Sequence, residues 1–236
     1  NRYDTESSKS RREKLMNEIS QNAARQNMVD CQLRTMKVID PCVLAAFSSV
    51  PREKFVGKNQ RTIAYADEDL PLGGGRWLIE PMVLARMIQA LNVRADDHTM
   101  VVGCATGYGT AIMAGLAVSV ISVESRLSLV EKAQELLVAI GADNAAVVKS
   151  KLVDGFEQEG PYDRILVEGA VGFMPEKLLE QLTPKGVLVS VWRPNGSSCG
   201  VASLWSRSGD SFVRTPLFDA QIPVFDEFKP RPEFIF

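Results

Sequence analysis

The sequence predicts an α/β fold: a mostly parallel sheet flanked by helices, closed by a C-terminal antiparallel hairpin and preceded by an N-terminal helical segment. Three observations carry this prediction. Short apolar strands alternate with helical periods from Met100 to Trp192, the pattern of parallel βαβ units. A glycine-rich turn follows the first of those strands, and two β-like runs, residues 200–206 and 211–217, flank Ser208-Gly209-Asp210, as in a tight hairpin.

The elements follow in order. Residues 1–27 read as a polar extension, with Met16 as a candidate internal start, and from Ser10 to Met36 apolar residues at Leu15, Ile19, Ala23, Met28 and Leu33 keep near-helical spacing. A long helix broken near Asn27 is expected. Asp40-Pro41 opens a second helix, because Asp caps a first turn and proline at the first helical position forfeits no needed hydrogen bond. Residues 64–81, with three successive glycines, two prolines and an acidic cluster, read as a long loop without regular structure. A helix follows from Pro81 to Leu91. Strands are then expected at 100–102, 118–123, 145–148, 162–167 and 186–192, with helices at 108–116, 127–140 and 175–182. Residues 28–236 are expected to form one domain, 28–80 carrying the helical and loop segment and 81–236 the sheet.

Bulk chemistry narrows the functions. With 27 basic and 29 acidic residues among 236 the net charge is −2, so no global field draws the chain to nucleic acid or an anionic membrane. No apolar run approaches the roughly 20 residues of a membrane span. Four cysteines lie far apart in the chain and His98 is the single histidine, which argues for free thiols in a cytoplasmic setting and against a metal site.

Chemistry concentrates at three strand tips. Gly103-Cys104-Ala105-Thr106-Gly107-Tyr108-Gly109 lets backbone approach a ligand at the carboxyl end of a strand, where open α/β sheets bind ligands. It lacks the G-x-G-x-x-G register, and a tight turn with no ligand is the alternative. Glu124, about 20 residues past the glycines, is placed to accept from two ribose hydroxyls of a dinucleotide or an adenosyl group; otherwise it is a surface acid. Asp154-Gly155 is either an adenine contact or a plain turn.

Over most of the chain after Arg25 the sequence resembles the protein-L-isoaspartate O-methyltransferase family. MVDCQLRTMKVIDPCVLAAFSSVPREKFV, residues 28–56, is similar to that family's N-terminal segment, and AYADEDLPLGGG, residues 64–75, to its substrate loop. The resemblance implies a Rossmann-like seven-stranded methyltransferase sheet with its last strand reversed. It implies S-adenosylmethionine as cofactor, and methylation of the free carboxylate of isoaspartyl residues in damaged proteins. By the resemblance, Gly103 and Gly107, with Ala105 between them in the cofactor turn, mark the methionine end of the cofactor, Glu124 holds its ribose, and Asp154 and Gly155 its adenine. Asp67, Leu70, Pro71, Leu72, Gly73 and Gly75 match the substrate loop, and Pro81 matches as well.

Several positions depart from the family. Ile79 stands where the family has a serine that bonds the isoaspartyl group, a loss of about 1.5–3 kcal/mol for a hydrogen bond to a charged group. Arg76 is a candidate to compensate by pairing with the substrate's carboxylate, with a solvated loop arginine as the alternative. Val101 replaces an acidic residue and Ala105 a glycine in the cofactor strand and turn. Glu168, at the fourth strand's tip, would attract a sulfonium and repel an anionic substrate. Two further readings stay open: a family member acting as a binding or regulatory module without isoaspartyl methylation, and a methyltransferase with another acceptor.

Overall fold

The computed structural model describes residues 2–209 and 211–229, and side chains from Leu15 onward. Helix α1, Arg2–Asn27, passes directly into a wider π-helical stretch, Met28–Leu33, so the expected break at Asn27 is a change of helical pitch. Burial begins there: Met28, Val29 and Leu33 are buried while Leu15 and Ile19 are exposed. The apolar spacing at Leu15, Ile19 and Ala23 therefore does not mark a core face.

Helix α2, Pro41–Ser49, starts as its sequence dictates, with the Asp40 carboxylate accepting from the N–H of Cys42 and Val43. Val43, Leu44, Ala46 and Phe47 anchor it in the core.

Residues 64–81 differ from the expected irregular loop. They contain a small hairpin, β1 (Leu70–Gly73) and β2 (Arg76–Leu78), paired antiparallel with Leu70 opposite Leu78. Gly73, Gly74 and Gly75 all take positive φ, conformations open to glycine at no steric cost, so the glycines that read as breakers are the turn of a hairpin. Helix α3, Pro81–Leu91, follows. Its first turn is capped from the preceding loop, Asp69 accepting from the Glu80 N–H at 2.8 Å and Asp67 from the Met82 N–H at 3.3 Å.

The main sheet then forms from β3 (His98–Val102), β4 (Ser119–Glu124), β5 (Ala145–Lys149), β6 (Tyr162–Val171), β7 (Leu182–Trp192), β8 (Gly200–Ser208) and β9 (Ser211–Ala220) in the order β5-β4-β3-β6-β7-β8-β9. Helices α4 (Tyr108–Ala114), α5 (Leu127–Ile140) and α6 (Glu176–Glu180) lie between its strands in the chain. The first five strands in that order are parallel; β8 is antiparallel to both β7 and β9. The reversed strand is thus β8 rather than the last. The short connection of residues 193–199 can only return the chain alongside β7 in the opposite sense, and the hairpin then carries β9 back to β7's direction at the edge. Asp210, expected in that hairpin turn, lies outside the described residues.

The chain runs outward from β3 to β5, then crosses back to β6 on the other side of β3. The crevice between the carboxyl ends of β3 and β6 is the topological switch point, where open α/β sheets bind ligands. All four cysteines are free, and no described helix is long and apolar enough to cross a membrane.

The Asp40 cap gives a direct check on local reading. Asp40→Ala should lower stability by about 1 kcal/mol, measured as a shift of the urea midpoint with an unchanged slope.

Candidate functional site

The turn after β3 is built for close backbone approach. Gly103 has φ +77° and its N–H donates to the Val123 carbonyl at 2.8 Å, tying the tips of β3 and β4 together. Gly107, φ +93°, caps α4. Between them Ala105 holds φ +49°, a left-handed conformation that costs a residue with a Cβ roughly 1–2 kcal/mol. The position that departs from the family's glycine is therefore one where glycine would be unstrained. Val101, the other departure, lies wholly buried in the core.

Glu124 ends β4 with its side chain fully buried. Its carboxylate accepts from the backbone N–H of Ala105, Ser125 and Arg126. Its principal partner is Arg76, from β2: Nε lies 3.0 Å from Oε2 and 3.2 Å from Oε1, and Nη2 lies 3.0 Å from Oε1. Arg76 is itself 1% exposed. It reaches a second carboxylate, Glu227, at 2.7 Å through Nη2, and the Ser125 hydroxyl joins the same group by donating to Glu227 at 2.9 Å. Burial works against the Arg76 charge, and the carboxylates of Glu227 and Glu124 outweigh it, holding the guanidinium above its ordinary pKa. Arg76 is thus neither a solvated loop residue nor free to meet a substrate's carboxylate here.

Phe225 closes the other side. Its ring lies under the Arg76 guanidinium, 4.9 Å from the ring centroid to Cζ, and against the bare faces of Gly103 and Gly169; a Cβ added at Gly103 would meet Phe225 Cζ at 2.5 Å. Backbone bonds fix the segment: Ala170 N–H donates to the Pro223 carbonyl, Phe225 N–H to the Ala170 carbonyl and Gly172 N–H to the Phe228 carbonyl. The aromatic side chain therefore sits in the switch-point crevice itself.

The other expected positions separate into structural roles and a second buried cluster. Ile79 is 1% exposed in the core, and its carbonyl accepts from Arg52 Nη2 at 2.7 Å, so it is a packing residue. Asp67 caps α3. Leu70 is buried, Leu72 half-buried, and Pro71, Gly73 and Gly75 are exposed along the hairpin. Asp154 pairs with Lys177 at 3.2 Å, and Gly155, φ +61°, packs against Gln181.

Glu168 is buried beside Arg52 and Tyr108; among the described residues Glu168 Oε2, Arg52 Nη1 and Tyr108 Oη find no hydrogen-bond partner. Burial pushes the Glu168 carboxyl up to about 8, against the opposing pull of the Arg52 guanidinium and the Gly109 N–H. Burial thus favours its uncharged acid form over the carboxylate that would attract a sulfonium.

Comparison with known proteins places this geometry. A family model described as protein-L-isoaspartate(D-aspartate) O-methyltransferase matches residues 23–211. The chain belongs to this family. A protein-L-isoaspartate O-methyltransferase of Methanoculleus marisnigri is 37% identical over 166 residues, covering 70% of this chain and 76% of the relative. One from Methanoregula boonei is also 37% identical, over 165 residues, with the same coverage. Among solved structures, a protein-L-isoaspartate O-methyltransferase superposes with TM-score 0.77 at 22% identity, over 87% of this chain and 67% of that one. A Plasmodium falciparum protein described as a beta-aspartate methyltransferase, in complex with S-adenosyl-L-homocysteine, superposes with TM-score 0.72 at 21% identity, over 88% and 98% of the two chains. These two likenesses establish the shared fold.

The family's enzymes use S-adenosylmethionine, so the fit of that group to these residues can be tested. In this arrangement the chain's own side chains occupy the place that group would take. The carboxylate placed for ribose is saturated by Arg76 and three backbone N–H groups, and the crevice beside Gly103 is filled by Phe225. Phe225 and Glu227 went unread in the sequence; the aromatic, acidic run after the hairpin, residues 222–228, was the available signal.

Three outcomes check these assignments. Arg76→Met should cost about 3–5 kcal/mol by leaving a buried carboxylate unpaired, and adding Glu124→Gln should recover much of it, read by denaturant titration of both variants. Ala105→Gly should raise stability by about 0.5–1 kcal/mol through relief of the positive φ, partly offset by unfolded-state entropy. Glu168 in the folded chain keeps a proton that the unfolded chain releases, between the ordinary value of 4.5 and about 8. Stability from this group is therefore complete below pH 4.5 and is lost as pH rises through 8. Glu168→Gln should flatten that decline, seen as a smaller fall in Tm between pH 5 and 9.

Proposed function

We propose that this chain is an S-adenosylmethionine-dependent carboxyl O-methyltransferase acting on isoaspartyl residues of damaged proteins, in the cytoplasm. Residues 28–236 make up its catalytic domain, preceded by residues 1–27 as an extension. Gly103, Ala105, Gly107 and Glu124 form the cofactor cradle, with Asp154 and Gly155 towards its adenine end, and the hairpin from Leu70 to Leu78 is the substrate-facing element. The single observation that carries this reading is the placement of Gly103 and Glu124 on adjacent strand tips at the switch point of the sheet. Membership of the family supports it.

The substrate class suits a site without a catalytic histidine. A carboxylate is already ionised and nucleophilic at neutral pH, so orientation of the acceptor can supply most of the acceleration, roughly 7–11 kcal/mol at its limit. The chain's own contribution is a rigid frame. Arg52 donates to the carbonyls of Ala64 at 2.6 Å and Ile79 at 2.7 Å, pinning the substrate hairpin to the segment that precedes it.

The reading is tested by methyl transfer from radiolabelled S-adenosylmethionine to an isoaspartyl peptide, with the matched aspartyl peptide as control. Incorporation should be confined to the isoaspartyl peptide. Equal incorporation into both would point to another acceptor, and none into either, with no cofactor binding at millimolar concentration, to a binding or regulatory module.

A further inference from the structure

The C-terminal segment does more than finish the sheet. Residues 222–228 lie beyond the stretch that the family model matches, residues 23–211, yet they fill the crevice that the family fold leaves for a ligand. Val224 forms a parallel bridge with Ala170 at the tip of β6, continued by the hydrogen bonds from Ala170 to Pro223 and from Phe225 to Ala170. This lays Phe225 into the crevice and brings Glu227 to Arg76 of the substrate hairpin.

We infer that residues 222–228 are a strap that, with Arg76, holds the ligand crevice shut, so that cofactor and the chain's own side chains compete for the same place. The inference rests on the proposed methyltransferase reading. Three contacts make the closure a unit. Phe225 covers the open faces of Gly103 and Gly169; Arg76 takes up the Glu124 carboxylate; and Glu227 with Ser125 locks Arg76 in place from the far side. A ribose can reach Glu124 only when Arg76 leaves, and Arg76 can leave only by giving up Glu227 as well. Because Arg76 belongs to the substrate hairpin, displacement of the strap and movement of that hairpin are linked. A ligand whose competent conformation is a minor one binds weaker by the population of that conformation, so loosening the strap should strengthen binding without adding a contact.

The test is calorimetric titration of the full chain with S-adenosylhomocysteine, for the native sequence, Phe225→Ala, Glu227→Gln and the double variant, each checked for cooperative unfolding. Glu227 is 27% exposed, so its variant should fold even where Phe225→Ala does not. Expected are at least a tenfold gain in affinity for Phe225→Ala, a smaller gain for Glu227→Gln and the largest for the pair. Where the native chain binds, hydrogen exchange should also show the Phe225 amide losing protection on addition of ligand. Affinities unchanged in all folded variants would overturn the strap while leaving the methyltransferase reading intact. Absence of binding in every folded form at millimolar ligand would overturn both, since removal of the cover would then have uncovered no site.

Discussion

The structure turns on one ion pair removed from water. Arg76 and Glu124 are both almost completely buried, and two charges in that position are stable only with good geometry and their remaining hydrogen-bonding capacity satisfied. Both conditions hold. The guanidinium contacts both oxygens of Glu124, its remaining donors reach Glu227 and Ser125, and the carboxylate's other lone pairs are met by three backbone N–H groups. Those backbone donors come from the glycine-rich turn and from the start of the segment after β4, so the pair fixes the two strand tips relative to each other.

Everything around the site follows from where Arg76 must stand. The hairpin of β1 and β2 can deliver the side chain inward because its turn consists of three glycines at positive φ, which allow a tight reversal immediately before residue 76. The loop before it is held by Arg52, and the helix after it by the caps from Asp67 and Asp69. The C-terminal segment supplies the second carboxylate and the aromatic ring beneath the guanidinium. Two stretches distant in sequence, at Glu124–Ser125 and at Phe225–Glu227, therefore converge on a single cation of the hairpin.

The same convergence explains why the family's ligand chemistry and this arrangement of side chains differ. A carboxylate at the end of β4 is a receptor for hydroxyl donors, and a guanidinium satisfies it with charge as well as hydrogen bonds, so Arg76 is a strong competitor for that acceptor. Ala105 reflects the same economy: its N–H is needed at Glu124, and the backbone keeps the left-handed conformation of a glycine although a methyl group now sits there.

What the sequence by itself determined is local. Strand and helix periods placed β3 to β9 and α2 to α5 within a few residues, because alternation and helical spacing are written in neighbouring side chains. Asp40, Pro41 and the glycines at 103 and 107 announced their conformations, since capping and positive φ depend on the residue itself. The carboxylate at the tip of β4 was legible for the same reason. The hairpin at 70–78 was not, because glycines and prolines mark a break without saying whether the flanking residues pair. Only the tertiary structure decided who partners Glu124. Arg76 lies 48 residues before it in the chain, and Phe225 and Glu227 about 100 after it. No local pattern links such positions; they meet because the sheet's crossover opens a crevice that these side chains fill.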